Sequence, residues 1–199
     1  MTAILVCPLS QVTALVAARK PERIISMLDP EFAFPDAGPR YAERHLKLRF
    51  HDRHSAADGH VIPSSAHVAE MLAFAADWRQ DAPLLIHCRA GMGRSPAAAF
   101  IVACARNPGA SEREIAVALR QVSPSVRPNE KLVALADEAL GRHGRMLMAI
   151  ASTGRGLPWP DVDENAPFEI ASTYPPADVR CSTPPAERSP PSGKYVEEY

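Results

Sequence analysis

The first 150 residues alternate short apolar runs with stretches whose apolar positions recur every three or four residues. Ala3 to Cys7 is a continuous apolar run suited to a buried strand, and Arg23 to Leu28 is a second. His45 to Phe50 alternates polar and apolar side chains, the period-two signature of a third strand. Leu84 to His87 is a fourth, and it runs directly into a glycine-bearing turn.

Helical spacing fills the intervals. Ser10 is placed to cap a helix through Ala18, and Val68, Met71, Leu72 and Ala75 share one face of a helix over Ser64 to Trp78. Three more helices follow the fourth strand. One starts near Ser95, with Pro96 tolerated in its first turn, and runs to Arg106. The next opens at Ser111 with Glu114 three residues on, a capping box. The last begins near Asn129, carries Leu132, Leu135, Ala136, Ala139 and Leu140, and ends at Gly141. Strands separated by helices predict an α/β fold: a mostly parallel sheet flanked by helices, with its ligand site at the carboxyl ends of the strands.

The pattern stops near residue 150. Nine of the 20 prolines lie beyond it, including Pro175-Pro176, Pro184-Pro185 and Pro190-Pro191. Such a stretch does not sustain a helix or a central strand. The predicted organisation is therefore a domain over residues 1–150 and a Pro-rich tail over 151–199. The earlier part of the tail, with Trp159 and Phe168, is expected to pack on the domain and the remainder to be disordered.

Composition narrows the function classes. The chain has 22 basic and 23 acidic side chains, a formal net charge of -1, and 46% hydrophobic residues. That balance gives no bulk attraction to nucleic acid or to a membrane surface. No apolar run approaches the roughly 20 residues of a membrane span, and Met1 to Cys7 lacks the pattern of a signal peptide, so a cytoplasmic location is expected. Cys7, Cys88, Cys104 and Cys181 are scattered with no CxxC pair, which argues against a disulfide framework and for a reactive thiol.

The chemistry concentrates in His87-Cys88-Arg89-Ala90-Gly91-Met92-Gly93-Arg94-Ser95, between a strand and a helix. A tight loop there aims successive backbone N–H groups, from Arg89 through Arg94, into a concave anion site, helped by the positive end of the following helix. Gly91 and Gly93 are expected to supply dihedrals that side chains hinder. Cys88 at the mouth of the site is expected to react as a thiolate, because helix N-termini and cations favour the charged form. Arg94 offers bidentate recognition of phosphate, and Ser95 a hydrogen bond to the sulfur. His87 is read as structural, orienting the loop and tuning the sulfur.

This Cys-x5-Arg-Ser segment, with its preceding His87, strand and following helix, resembles the signature loop of the protein tyrosine phosphatase superfamily. Because three strands precede the loop, the layout is similar to the dual-specificity and bacterial tyrosine phosphatase branch rather than to the low-molecular-weight branch. The resemblance covers residues 1 to about 145. It implies metal-independent hydrolysis of phosphotyrosine, with phosphoserine and phosphothreonine as further candidates, through a cysteinyl-phosphate and without a cofactor. The implied partner is a phosphorylated protein, and a monomer is the default. It also implies an aspartate acid in the loop after the third strand. Asp52 is the first choice, with an ordinary solvated loop aspartate as the alternative, and Asp58 is the reserve. Asn129 resembles the Pro-Asn that opens the last helix in related phosphatases and braces the loop, with a plain helix cap as the alternative.

A phosphoinositide phosphatase is the main rival, although Met92 occupies a place where lipid-directed members carry lysine. A catalytically weak phosphate-binding module is the other class, and a rhodanese-like sulfurtransferase suits the Arg-Ser less well. Gly91-Met92-Gly93 does not extend to a dinucleotide motif, because Pro96 stands where the third glycine belongs. His51, His54 and His60 lack metal-ligand spacing, so no metal is expected. Arg89 is assigned to solvent or to the pocket rim. Cys7, closing the first strand at the edge that holds Cys88, suggests a protective disulfide with oxidised Cys88.

Overall fold

Five strands form one sheet in the order β3-β2-β4-β1-β5. The computed structural model describes residues 2–53, 55, 59–157 and 163–177. Trp159, Cys181, Tyr195 and Tyr199, and the proline pairs from Pro184 onward, lie outside the described residues, as do His54 and Asp58. β1 (Ala3–Pro8), β2 (Arg23–Leu28), β3 (His45–Arg49) and β4 (Leu84–Cys88) run parallel. The four runs read from the sequence are these four strands, within a residue at their ends.

The fifth strand was not foreseen. β5 (Phe168–Ala171) lies within the Pro-rich segment and pairs antiparallel with β1, Ala3 opposite Ala171 and Val6 opposite Phe168. It is an edge strand that makes one ladder, which is why prolines just before and after it are tolerated.

Alternation sorts the strands into two faces. Ile4, Val6, Ile25, Met27, Leu84, Ile86 and Cys88 face the larger core, and Leu5, Cys7, Ile24 and Leu85 the smaller. The large core is covered by α2 (Ser65–Ala76), α3 (Arg94–Arg106), α4 (Glu112–Val122), α5 (Glu130–Ala139) and α6 (Arg145–Ser152). α3 is buried from Arg94 through Cys104, as an apolar helix surrounded by others must be. The small core is closed by α1 (Val12–Arg19) and Tyr41.

Helix starts show where local signals sufficed. Ser64 and His67 form a reciprocal capping box on α2, and Asn129 caps α5 by accepting from the N–H of Leu132 at 2.9 Å. At α4 only half of the expected box forms: Ser111 accepts from the N–H of Glu114, and no return bond from Glu114 is made. Ser10 does not cap α1; it sits in a 3-10 turn over Leu9–Gln11 and its hydroxyl meets Glu164. α6 was missed because its cap is remote. The Asp137 carboxylate, in the preceding helix, accepts from the N–H groups of Gly144 and Met146 at 2.6 and 2.8 Å. Among the described residues, no helix is long and apolar enough to cross a membrane.

Candidate active site

The loop from Cys88 to Arg94 joins β4 to α3 at the carboxyl edge of the sheet, and its carbonyls are held from outside. Arg89 O accepts from the N–H of Leu9 at 3.0 Å, Ala90 O from Asn165 at 2.8 Å, Met92 O from Arg127 at 2.9 Å and Gly93 O from Asn129 at 3.1 Å. In a trans peptide the carbonyl and the next N–H point in opposite directions. Turning these carbonyls outward therefore turns the N–H groups of Ala90, Gly91, Gly93 and Arg94 inward. The loop is a concave set of donors, the geometry that binds an anion.

Cys88 lies at the centre of that set. Its Sγ accepts from the N–H of Gly91 at 3.2 Å and lies 3.1 Å from Ser95 Oγ. The side chain is buried, and its cleft of about 310 Å³ is lined by Asp52, Arg89, Ala90, Met92, Gly93, Arg94, Ser125 and Arg127. The two glycines serve different ends. Gly91 has φ +74°, and a Cβ there would lie 3.1 Å from Pro8 N, so both dihedral and space require glycine. Gly93 has an ordinary φ of -114°, contrary to the expectation of an unusual dihedral. Its need is for space, since a Cβ would overlap the Asp52 carboxylate and lie 2.8 Å from its Cγ.

Arg94 is fixed by a residue that the sequence reading did not single out. Its Nη1 donates to Asp29 Oδ1 at 3.0 Å and to the Phe50 carbonyl at 2.6 Å, and its Nη2 donates to Asp29 Oδ2 at 3.3 Å. Arg94 is 3% exposed, so this is a buried, forked pair. Of the guanidinium donors, Nε–H and the second Nη2–H are left over, and Nε has no partner among the described residues. A signal for Asp29 did exist. It follows β2 directly, at the strand end where the fold places its ligand site.

Asp52 stands in the loop after β3, whose base is closed by the His51 N–H donating to Val61 O at 2.8 Å. Asn129 Nδ2 donates to Asp52 Oδ1 at 2.6 Å. Asn129 thus does both things weighed for it, capping α5 with its side-chain oxygen and bracing the site with its amide and its backbone N–H. Asp58, the reserve, lies outside the described residues. The His51 and His60 rings meet at a tilt of 55° with centroids 4.7 Å apart beside this loop.

His87 is fully buried behind the loop, on the small-core face. Its Nε2 meets Ser26 Oγ, which lies 2.6 Å from His45 Nε2, and its Nδ1 lies 3.3 Å from the Cys88 carbonyl. Burial lowers His87 to about 4, against the opposing bond to Cys88 O and with help from His45 and Arg94. Burial also lowers His45 to about 4, with a lesser push from Lys47. Both rings are neutral at physiological pH. With protons on His45 Nε2 and His87 Nδ1 the chain is consistent: His45 donates to Ser26, Ser26 donates to His87, and His87 donates to the loop carbonyl. Ser26 and His45 were not anticipated.

The remaining loop residues fall as follows. Arg89 takes the rim, its guanidinium 4.6 Å over the Phe32 ring. Met92 is buried at the cleft wall. Cys7 is paired in register with His87 and faces the small core, whereas Cys88 faces the large one. The sheet separates the two thiols, and this corrects the expectation of a disulfide between them. Burial, with the nearby Cys88 and Glu164, pushes the Cys7 thiol up to about 12.

No family model and no curated protein matches the chain. Solved structures do. The human tyrosine phosphatase-like serine/threonine/tyrosine-interacting protein superposes with a TM-score of 0.54 at 18% identity, over 68% of this chain and 89% of that one. DUSP15 superposes with a TM-score of 0.52 at 19% identity, over 75% of this chain and 85% of that one. At these identities the likeness is one of fold.

Proposed function

We propose that this chain, which has the fold of the dual-specificity branch of the protein tyrosine phosphatases, is a cysteine-dependent phosphomonoesterase acting on phosphotyrosine in proteins, with phosphoserine and phosphothreonine as further substrates. The observation that carries the reading is the convergence at one sulfur. Inward N–H groups and the open edge of Arg94 surround Cys88 Sγ, and a carboxylate held by Asn129 stands on the wall of the same cleft.

The phosphate of the substrate accepts hydrogen bonds from the loop N–H groups and from Arg94 Nε and Nη2. Asp29 and the Phe50 carbonyl hold the guanidinium so that this edge is presented without reorganisation. Cys88 Sγ attacks phosphorus while the bond to the leaving oxygen breaks. Asp52 gives its proton to that oxygen; with Asn129 on Oδ1, Oδ2 is the atom left to carry it. In the second step the Asp52 carboxylate takes a proton from water, the hydroxide attacks phosphorus, and the P–S bond breaks. Ser95 donates to the departing sulfur. Every atom this requires belongs to the chain, the substrate or water.

The test is turnover of a phosphotyrosine peptide by wild type, Cys88→Ser and Asp52→Asn, with and without EDTA. Turnover that survives EDTA, vanishes in Cys88→Ser and falls in Asp52→Asn supports the reading. Binding without turnover of phosphotyrosine, phosphoserine or phosphoinositide substrates replaces it with a phosphate-binding module.

A further inference from the structure

β5 runs antiparallel to β1, so its beginning, not its end, lies at the edge of the sheet that holds Cys88. Phe168 stands opposite Val6, two residues before Pro8, which is in register with Cys88. The three residues before β5, Asn165 to Pro167, extend that line by about 10 Å and bring Asn165 to the Cys88–Arg94 loop. Pro167 fixes its own φ and restricts Ala166, so this reach is stiff. The far end of the segment is pinned. Ser172 donates to Thr2 O through both its N–H and its hydroxyl, at 3.2 and 2.7 Å. Asn107 Nδ2 donates to Ser172 O at 3.0 Å, and the Tyr174 N–H donates to Asn107 Oδ1 at 2.9 Å.

At the loop, Asn165 makes two bonds. Its N–H donates to Ala90 O at 2.8 Å, and its Nδ2 donates to Ser123 Oγ at 2.9 Å. Ser123 is buried, and the turn it opens carries Ser125, on the wall of the cleft, and Arg127, whose N–H holds Met92 O. The neighbouring Glu164 carboxylate accepts from the hydroxyl of Ser10, next to Leu9, whose N–H holds Arg89 O. Glu164 and Asn165 therefore join two of the loop's other supports. Ala90 O belongs to the peptide whose N–H, on Gly91, meets Cys88 Sγ at 3.2 Å. Holding one end of that peptide outward aims the other end at the sulfur. A donor fixed there favours the charged form of the sulfur and is equally placed for an oxygen of a bound phosphate. The remaining loop carbonyls are held by Leu9, Arg127 and Asn129, whereas Asn165 belongs to the Pro-rich segment.

Resting on the phosphatase reading above, we infer that Asn165 is a positioning residue for Cys88. The segment over residues 163–177 is then a working part of the site, holding the Ala90–Gly91 peptide so that its N–H faces the sulfur and the substrate phosphate. β5 and the bonds through Asn107 give Asn165 a fixed base from which to do so.

The experiment follows two quantities that need no turnover. One is the rate of Cys88 alkylation by iodoacetamide against pH, read on the Cys88 peptide by mass spectrometry; the other is the affinity for inorganic phosphate. Asn165→Pro removes the N–H, and should move the midpoint of alkylation up by about half a pH unit or more and weaken phosphate binding about fivefold or more. Asn165→Ala and Ser123→Ala keep the N–H and remove the side-chain bond from either end. Each should shift both quantities in the same direction by less, and the double variant no further than either alone. Asn107→Ala loosens the far end of the segment; it should lower the urea midpoint of unfolding and leave both quantities at their wild-type values. A folded Asn165→Pro chain with wild-type values overturns the inference. So does an equal shift in Asn107→Ala or, should Asn165→Pro not fold, wild-type values in both Asn165→Ala and Ser123→Ala. If wild type hydrolyses no phosphate ester while the shifts stand, the phosphatase reading fails and the positioning role does not.

Discussion

Asn129 Nδ2 lies 2.6 Å from Asp52 Oδ1, joining the first residue before α5 to the loop after β3, 77 residues away in the chain. The same side chain caps α5 through its oxygen, so the position of Asp52 is tied to the helix that also braces the Cys88–Arg94 loop. Asp52→Asn is expected to lower kcat on a phosphotyrosine peptide by about 10²–10³-fold. On an aryl phosphate whose leaving group needs no proton, the loss should be about tenfold or less. Asn129→Ala should show the same leaving-group dependence more weakly, with about 1 kcal/mol of lost stability from the cap. Asn129→Asp keeps a cap but sets a second carboxylate against the first. It should move the alkaline limb of the kcat/KM profile, where Asp52 must still hold its proton, to higher pH, a shift that a residue with only a structural role would not produce.

Gly93 and Gly91 should respond differently to alanine. Gly93→Ala places a methyl where the Asp52 carboxylate stands, with backbone dihedrals that alanine accepts. It should fold normally and behave like Asp52→Asn, losing peptide turnover and sparing the activated aryl phosphate. Gly91→Ala combines positive φ with crowding against the backbone of Cys7 and Pro8, and should cost about 1–3 kcal/mol of stability. Paired denaturation curves and kinetics separate the two. Equal stability losses, or a Gly93→Ala chain with unimpaired peptide turnover, would contradict this account of the loop.

Much of this site was legible because its chemistry is local. Strand, turn, Cys88, the inward N–H groups and Arg94 occupy one continuous segment, and Asp52 and Asn129 sit at boundaries that patterning marks. What remained hidden is held by remote partners. Asp29 takes its role from a bond across 65 residues, His45 from a relay through Ser26, and the loop carbonyls from donors on Leu9, Arg127 and Asn165. No periodicity records such bonds. α6 and β5 were missed for the same reason, since a cap from Asp137 and a ladder with β1 are tertiary facts.

Breaking the Asp29–Arg94 pair should weaken phosphate binding before it affects chemistry. Asp29→Asn keeps the shape of the side chain and removes its charge, leaving a buried guanidinium less firmly aimed. KM should rise about tenfold with a smaller change in kcat, and the inhibition constant of inorganic phosphate should rise in parallel. A fall in kcat with unchanged KM and phosphate inhibition would show that Asp29 does not position the binding edge.

Cys7 should be a bystander in oxidation. Its thiol is pushed up to about 12 and faces the core opposite to that of Cys88. Cys7→Ser should leave unchanged both the rate of inactivation by peroxide and the fraction of activity recovered with thiol. Recovery that disappears in Cys7→Ser would restore the disulfide.

The neutral histidine relay sets a pH dependence of stability. His87 and His45 are both lowered from 6.5 to about 4, chiefly by burial. When the chain unfolds each regains its ordinary affinity for a proton, so between about pH 4 and 6.5 the unfolded state holds more protons than the folded one. Stability is therefore complete above about pH 6.5 and lost as pH falls through that window, by up to about 1.4 kcal/mol per pH unit per histidine. His67, also lowered by burial, acts in the same direction from α2. Urea midpoints for wild type should be level from about pH 8 to 6.5 and fall steeply toward about pH 4.5. His45→Gln, whose amide can still donate to Ser26 but cannot take up a proton, should flatten part of that fall while leaving the slope from His67 in place. An acid limb as steep in His45→Gln as in wild type would mean that the relay is not neutral in the folded chain, and the tautomers assigned from His45 to the Cys88 carbonyl would be wrong.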